Sequence, residues 1–204
     1  MAKKRTATQP VKLRKTPSQK RSADTVAVIV EAAARILEQH GFEGFNTNAI
    51  AEKAGVSIGS LYQYFPSKNA LLSALMEREA APLLKVEEDL AAIQDWKAAL
   101  HVYIRASIRH QMRRPRLAQL IDVAEKREMF LDQVSTTLAR LQAVVERILK
   151  LPGAPSVPNT SVAAADLLAL TRSLVDAAGE RGEGESAQLV RRVEGAIWGY
   201  LGER

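Results

Sequence analysis

The segment TNAIAEKAGVSIGSLYQYFPSK, residues 47–68, contains two short helical stretches on either side of Gly55. Neither stretch is long enough to be stable alone, so both must pack against other elements. Two short helices joined by a tight turn pack nearly crosswise, which favours a small side chain at the crossing, such as Ala51. The turn then requires a positive φ, which Gly55 adopts without steric cost, and Leu61 supplies an apolar anchor. This spacing predicts a helix-turn-helix.

The chain as a whole has the pattern of an all-α protein with about nine helices. Apolar residues recur at helical spacing before Gly41 and in every long segment after Pro66, and no stretch alternates as a strand does. No apolar run approaches the roughly 20 residues of a membrane-spanning helix. With no cysteine and no secretory signal pattern, we expect a cytoplasmic protein that is not associated with a membrane.

Positive charge is concentrated at the N-terminus. Of 29 basic and 23 acidic residues, eight basic and no acidic residues lie in residues 1–21, which leaves 21 basic and 23 acidic residues for the rest. We expect residues 1–21 to form a disordered basic arm, either a solubilising tail or a ligand for an acidic polymer. Residues 22–68 are expected to form a helix-turn-helix DNA-binding domain. Residues 69–204 are expected to form a helical effector-binding and dimerisation domain.

The outward face of residues 57–64 is unusual for a solvated helix. It carries hydroxyls, a glycine, an amide and phenols where Glu and Lys would be normal. Gln63 can present a donor and an acceptor to an adenine edge, and Thr47 and Ser57 stand at helix N-termini, where a phosphate is favoured. We therefore predict DNA contact by Thr47, Tyr62 and Gln63. The alternative is that the phenol rings complete the core.

Residues 24–72, centred on ILEQHGFEGFNTNAIAEKAGVSIGSLYQYFPSKNALL, resemble the DNA-binding domain of the TetR family of transcriptional regulators. The resemblance implies base-edge contacts from Asn48, Ile58, Gly59, Tyr62 and Gln63. It implies phosphate contacts from Thr47, Ser60, Tyr64 and Lys68. It also implies that the remaining helices form a ligand pocket and a dimer interface.

A ligand site is predicted on the helix expected at residues 95–113, whose apolar face is interrupted by polar side chains. The residues on or beside this face are Trp96, Leu100, Tyr103, Ser107, His110 and Gln111. An apolar lining with a few polar groups suits a small apolar or amphipathic effector. Polar groups satisfied within the core would give the same pattern. Further candidates for a pocket or an interdomain contact are Asp122, Glu125, Arg127, Met129 and Phe130.

The last two helices, expected at residues 161–178 and 187–202, are apolar or small nearly all round. The apolar stripes include Leu167, Leu170, Leu174, Val193, Ile197 and Tyr200. The small-residue stripes are Ala165, Ala169, Ser173, Gly195, Gly199 and Gly202. Such helices need cover on more than one side, and glycine inside a helix costs about 1 kcal/mol relative to alanine. We predict a homodimer through these stripes; packing within one subunit is the alternative.

These features together predict a ligand-responsive transcriptional regulator, a repressor that releases a palindromic double-stranded DNA operator when a small molecule binds. No catalytic residue, cofactor or metal is expected, because the sequence has no GxSxG, no phosphate-binding glycine loop and no HExxH. The alternatives are an effector-free DNA-architectural protein and, less favoured, a helical enzyme.

Overall fold

The computed structural model describes residues 20–202, which form an all-α structure. The helices of this part of the chain are α1 Lys20–Gly44, α2 Thr47–Ala54, α3 Ile58–Tyr64, α4 Lys68–Leu84, α5 Val86–Asp89, α6 Trp96–Arg113, α7 Pro115–Glu125, α8 Leu131–Ile148, α9 Thr160–Glu180 and α10 Ala187–Leu201. A 3₁₀ turn covers Glu128–Phe130. Since α5 is a single turn, the described residues contain nine longer helices, as predicted.

The expected basic arm lies outside the described residues, apart from positions 20 and 21, at which α1 begins. Pro82 lies inside α4, which continues to Leu84. One helix end differs from expectation. Gly202 does not lie inside α10; it is the C-cap, with φ 72°, so its glycine serves the left-handed cap.

The chain divides into two compact units. The first contains the described residues up to Arg78 together with Leu120–Phe130, and the second contains Glu79–Gln119 and the chain from Leu131 onward. Two of the three boundaries therefore fall inside α4 and α7, and the third lies at the start of α8. This division into units does not test the predicted functional domains. The prediction that the DNA-binding domain ends at residue 68 and the effector-binding and dimerisation domain begins at residue 69 stays a prediction.

The first unit has a small core made by α1, α2, α3 and the start of α4. Ile29 and Leu37 of α1, Ile50 of α2 and Leu61 of α3 are all fully buried. Phe45, in the link between α1 and α2, is also fully buried. Short helices of this length depend on such packing for their stability, so the core fixes how α2 and α3 cross.

The second unit is built on α6, α8, α9 and α10, which share one apolar cluster. Leu100 and Ile104 of α6 and Val145 of α8 lie at its centre with no exposed surface. At one end the rings of Trp96 and Trp198 meet edge to face, with centroids 5.3 Å apart and an interplanar angle of 86°. Within the described chain, none of the helices combines the length and apolar character that a membrane crossing requires.

Candidate nucleic-acid interface

The turn between α2 and α3 has the geometry that the sequence predicted. Gly55 adopts φ 68° and ψ 30°, the left-handed region. A Cβ there would meet no atom within 4 Å, so the position needs glycine for its backbone angles and not for space. The amide of Val56 donates to the carbonyl of Ala51 at 3.0 Å, which closes the end of α2. Ala51 itself is buried, as expected for the helix crossing.

The starts of α2 and α3 are each fixed by a side-chain cap. Asn46 caps α2, since its side chain accepts from the amide of Ala49 at 2.9 Å. Ser57 caps α3 by accepting from the amide of Ser60 at 3.0 Å, and the two serine hydroxyls lie 2.8 Å apart. The Ser57 hydroxyl, expected to favour a phosphate, is therefore engaged by its own helix. Asn46, and not Thr47, is therefore the N-cap of α2.

The exposed surface of α3 carries the groups predicted to read bases. Gln63 and Gly59 are exposed, Tyr62 has 42% of its surface exposed, and Ile58 has 39%. Packing into the core would have covered most of the surface of these two large side chains. Their exposure therefore shows that this face of α3 is not packed into the core. Across the turn, Asn48 is also exposed. These residues belong to one surface made by α2 and α3.

The residues expected to contact phosphate are placed around this surface. The Thr47 hydroxyl lies 3.1 Å from the Tyr62 hydroxyl. Tyr64 is half-buried, and its hydroxyl lies 3.3 Å from that of Ser22 in α1, so it also ties two helices together. Lys68 is exposed at the start of α4, and its ammonium donates to the carbonyl of Phe42 at 3.4 Å. Nothing in the sequence pattern pointed to Ser22, because its partner lies 42 positions away.

The residues predicted to bind a ligand lie in or beside the core of the second unit. Trp96, Leu100, Tyr103 and Gln111 are buried, while Ser107 and His110 are half-buried. The Ser107 hydroxyl donates to the Tyr103 carbonyl at 3.0 Å, one helical turn back. Burial raises the pKa of Tyr103 to about 12, an effect that the Ser107 side chain opposes. The hydrogen bond of the Ser107 hydroxyl is thus made within α6. This agrees with the alternative stated above, in which the polar groups of this face are satisfied within the core.

The residues predicted for the dimer interface divide into two groups. Leu167, Val193 and Ile197 have no exposed surface and belong to the core of their own subunit. This stripe packs into the apolar cluster of its own subunit. The expectation that these three residues face a partner therefore needs correction. Leu170 and Leu174 are half-buried, and Tyr200 is 43% exposed.

The small-residue stripes lie on the open side of α9 and α10. Ala165, Ala169 and Ser173 are all exposed. A Cβ built at Gly195 or Gly199 would meet nothing within 4 Å, so no backbone of this subunit approaches them closely. At the edge of this face Tyr200 donates to Asp166 at 2.6 Å, which raises the pKa of the tyrosine.

The crossed helices, the glycine turn and the exposed α3 surface define a helix-turn-helix DNA-binding domain. Residues 29–75 match the family model described as bacterial regulatory proteins, tetR family. Residues 29–75 are therefore similar to the DNA-binding domain of TetR-family regulators, as the sequence resemblance implied.

Curated relatives align with part of the chain. The HTH-type transcriptional repressor DrrR1 of Streptomyces coeruleorubidus is 34% identical over 98 residues, 47% of this chain and 35% of the relative. The HTH-type transcriptional regulator RutR of Escherichia coli K12 is 38% identical over 96 residues, 45% of this chain and 43% of the relative. The chain thus spans less than half the length of these relatives. Both relatives are named as transcriptional regulators.

Solved structures extend the likeness to the whole fold. A TetR transcription regulator from Haloarcula marismortui has a TM-score of 0.74 at 17% identity, over 88% of this chain and 97% of that one. The fatty acid degradation regulator FadR from Bacillus halodurans also has a TM-score of 0.74, at 18% identity, over 93% of this chain and 99% of that one. At such identities the likeness shows the fold, and it confirms the predicted all-α architecture.

Proposed function

We propose that this chain is a sequence-specific transcriptional repressor that binds a palindromic operator as a dimer and releases it when a small molecule binds. The observation that carries the proposal is the exposed α2–α3 surface. Its amide, hydroxyl and phenol groups stand outside the core, on a helix whose position is fixed by the Gly55 turn and the buried Leu61. Rigid placement of such groups is what reading a base sequence requires.

The chemistry of this surface suits the major groove. Gln63 offers an acceptor and a donor that can pair with the N6 and N7 edge of adenine, and Ile58 offers an apolar contact for a thymine methyl group. Gly59 has no side chain, so the backbone can approach the bases closely. Thr47 and Lys68, at the edges of the surface, suit phosphate oxygens, which fix the register without reading sequence.

A dimer is supported by the open face of α9 and α10. Small residues there leave the two backbones accessible, with exposed Ala169 and open space at Gly199. A second copy of the same face would cover it through a two-fold axis, an arrangement in which each subunit contributes the same patch. Two helix-turn-helix domains related in this way suit an operator with inverted half-sites.

An effector site is proposed along α6, with Tyr103 and Gln111 as polar groups within an apolar environment. Both side chains are buried, and the other buried residues of α6 are apolar. A ligand there would release DNA only if it bound the DNA-incompetent state more tightly, and such couplings are typically about 1–3 kcal/mol. The proposed effector is accordingly a small apolar or amphipathic molecule with one hydrogen-bonding group.

Selection from random duplexes followed by footprinting tests the DNA-binding proposal. We expect one protected site with two inverted halves separated by a whole number of helical turns. Uniform protection of every duplex would contradict sequence-specific repression and would favour a DNA-architectural protein. A promoter carrying the selected site should be silenced by the protein in a reporter assay.

The effector proposal has its own test. Thermal denaturation of the dimer in the presence of a panel of amphipathic molecules should identify compounds that raise its melting temperature. Each such compound should also weaken operator binding. Stabilisation without any loss of operator affinity would mean that the bound compound is not an effector.

A further inference from the structure

Four side chains of the first unit meet at the end of α1, and one of them comes from a distant part of the sequence. The Arg127 guanidinium carbon lies 4.3 Å from the centre of the Phe42 ring. The Phe42 carbonyl accepts a hydrogen bond from Lys68 at 3.4 Å. The same Lys68 ammonium lies 5.6 Å from the centre of the Phe45 ring. Phe42 therefore has a cation on its ring and a second cation on its carbonyl.

The backbone before Phe42 explains why this residue needs an anchor. Gly41 has φ 63° and ψ −163°, which interrupts α1 and lies in a region that only glycine adopts readily. A Cβ at Gly41 would meet no atom within 4 Å, so glycine is needed there for its backbone angles and not for space. Contacts made by the half-buried Phe42 therefore help to hold the backbone that follows Gly41, including the Phe42 carbonyl.

Arg127 provides such a contact. A guanidinium over an aromatic face is attracted by the ring quadrupole, and its planar shape matches the ring. Its segment is well anchored, since Ala124 and Phe130 on either side are almost completely buried. The whole segment Leu120–Phe130 belongs to the same compact unit as α2 and α3, although more than 40 residues separate it from Arg78 in the chain.

These contacts hold the ammonium group of Lys68 in place. Its ammonium has three N–H donors, and the Phe42 carbonyl uses one of them. The buried Phe45 ring supports it from another side. An exposed lysine held in this way can direct its remaining donors at a fixed point, whereas a free lysine side chain would lose rotamer entropy on binding.

We propose that Arg127 is a positioning residue for DNA binding, which holds Phe42 so that Lys68 is fixed for a phosphate of the operator. This inference rests on the proposed DNA-binding function. It makes the Leu120–Phe130 segment part of the DNA-binding apparatus, although Arg127 contacts no base. Substitution at Arg127 consequently weakens DNA binding through Lys68 and not through its own charge.

The experiment measures affinity for operator and for random duplex at several salt concentrations, using the full-length dimer. For Lys68→Ala, each subunit loses one phosphate contact, so the slope of log affinity against log salt should become shallower by about 1.8. Arg127→Ala should flatten the slope by no more than this, about 1–1.8, in the otherwise unchanged protein. In the Lys68→Ala background it should have no further effect. Arg127→Lys, which keeps a cation over the ring, should restore most of the slope.

Lys126→Ala is the matched control, because it removes the same charge from the neighbouring exposed residue. An equal flattening by Lys126→Ala would show that only net charge matters and would overturn the inference. An unchanged slope in Arg127→Ala would also overturn the inference. A lower melting temperature with an unchanged slope would describe a purely structural contact. If Arg127→Ala folds poorly, Phe42→Leu removes the aromatic face while keeping an apolar side chain, and it should flatten the slope in the same way.

Failure of this inference is distinguishable from failure of the proposed function. If the unmodified protein shows no preference for any duplex, the proposed function fails. If it binds an operator, and Lys68→Ala flattens the slope while Arg127→Ala leaves it unchanged, only the role of Arg127 is rejected.

Discussion

The hydroxyl groups of Thr47 and Tyr62 lie 3.1 Å apart and join the first turn of α2 to the exposed face of α3. The contact exists because Asn46, and not Thr47, caps α2, which leaves the Thr47 hydroxyl available. One hydroxyl donates to the other, and the hydroxyl that accepts keeps its own hydrogen to donate outward to a phosphate. The pair therefore orients two groups expected at the DNA before any DNA is bound.

This relationship predicts energetic coupling between the two residues in operator binding. Tyr62→Phe and Thr47→Ala should each weaken binding, and the double variant should lose less than the sum of the single losses. Contacting residues typically show coupling energies of about 0.5–3 kcal/mol. Fluorescence anisotropy with the selected operator, applied to all four proteins, measures the cycle. Strict additivity would mean that each hydroxyl acts alone at the DNA.

A second prediction concerns base reading by Gln63. Gln63→Ala should weaken operator binding by about 1–3 kcal/mol and leave binding to random duplex nearly unchanged, because a base-edge contact exists only at the right sequence. Gln94→Ala, the same substitution at an exposed residue just before α6, is the control and should change neither. Competition binding with the two duplexes distinguishes the cases. An equal loss on both duplexes would assign Gln63 to the phosphate backbone.

The sequence predicted the helix-turn-helix closely because its determinants are local. Gly55 must have a positive φ, Ser57 must cap α3, and Leu61 must be buried, and each requirement can be read within a few positions. The resemblance to a known family added the expectation of which exposed residues face DNA. The contact between Phe42 and Arg127 could not be foreseen, because it joins residues whose proximity depends on how distant helices fold back together.

The terminal helices show a different limit of sequence reasoning. Periodicity identified two stripes on each helix but could not say which stripe the subunit uses for its own core. The structure assigns the large apolar residues, such as Leu167 and Ile197, to the interior and leaves the alanines and glycines open. Which stripe is buried depends on the packing of α6 and α8 against α9 and α10, which no local pattern specifies.

A third prediction follows from this assignment. Ala169→Glu should dissociate the dimer, because two copies of the charge would be buried against small residues at the two-fold face, at a cost of about 2 kcal/mol or more. Ala139→Glu, at an exposed position of α8, is the matched control and should leave the dimer intact. Sedimentation velocity at micromolar concentration reports both. A dimeric Ala169→Glu protein would show that another surface mediates assembly.

A fourth prediction uses the buried phenol of Tyr103. Burial raises its pKa to about 12, whereas the unfolded chain has a value of about 10. Above pH 10 the unfolded chain therefore loses a proton that the folded protein keeps. The free energy of unfolding should fall by about 1.4 kcal/mol per pH unit from this group, reaching about 2–3 kcal/mol near pH 12. Below pH 10 the contribution should be constant.

Urea unfolding between pH 9 and 12 measures this effect. Tyr103→Phe should show a weaker decline of stability with pH than the unmodified protein, and Tyr62→Phe, which removes an exposed phenol, serves as the control. Parallel pH profiles for the unmodified protein and Tyr103→Phe would mean that the phenol reaches water in the folded state.

The last prediction concerns the basic N-terminal arm. Its six cationic residues before position 20 precede α1, whose first turns carry Ser22 against Tyr64 of α3. A deletion that tests the arm should therefore remove residues 1–19 and spare the Ser22–Tyr64 contact. A cationic segment next to a helix-turn-helix can follow phosphates or enter the minor groove, with a slope of about −0.9 per phosphate neutralised. We expect the deletion to flatten the salt dependence, to weaken binding to all duplexes, and to preserve the ranking of operator variants.

Replacing the six cations by Gln at unchanged length should reproduce the result if charge is the cause. Identical slopes for the full-length and shortened proteins would identify the arm as a solubilising tail, and a reordered ranking would show that it reads sequence or groove shape.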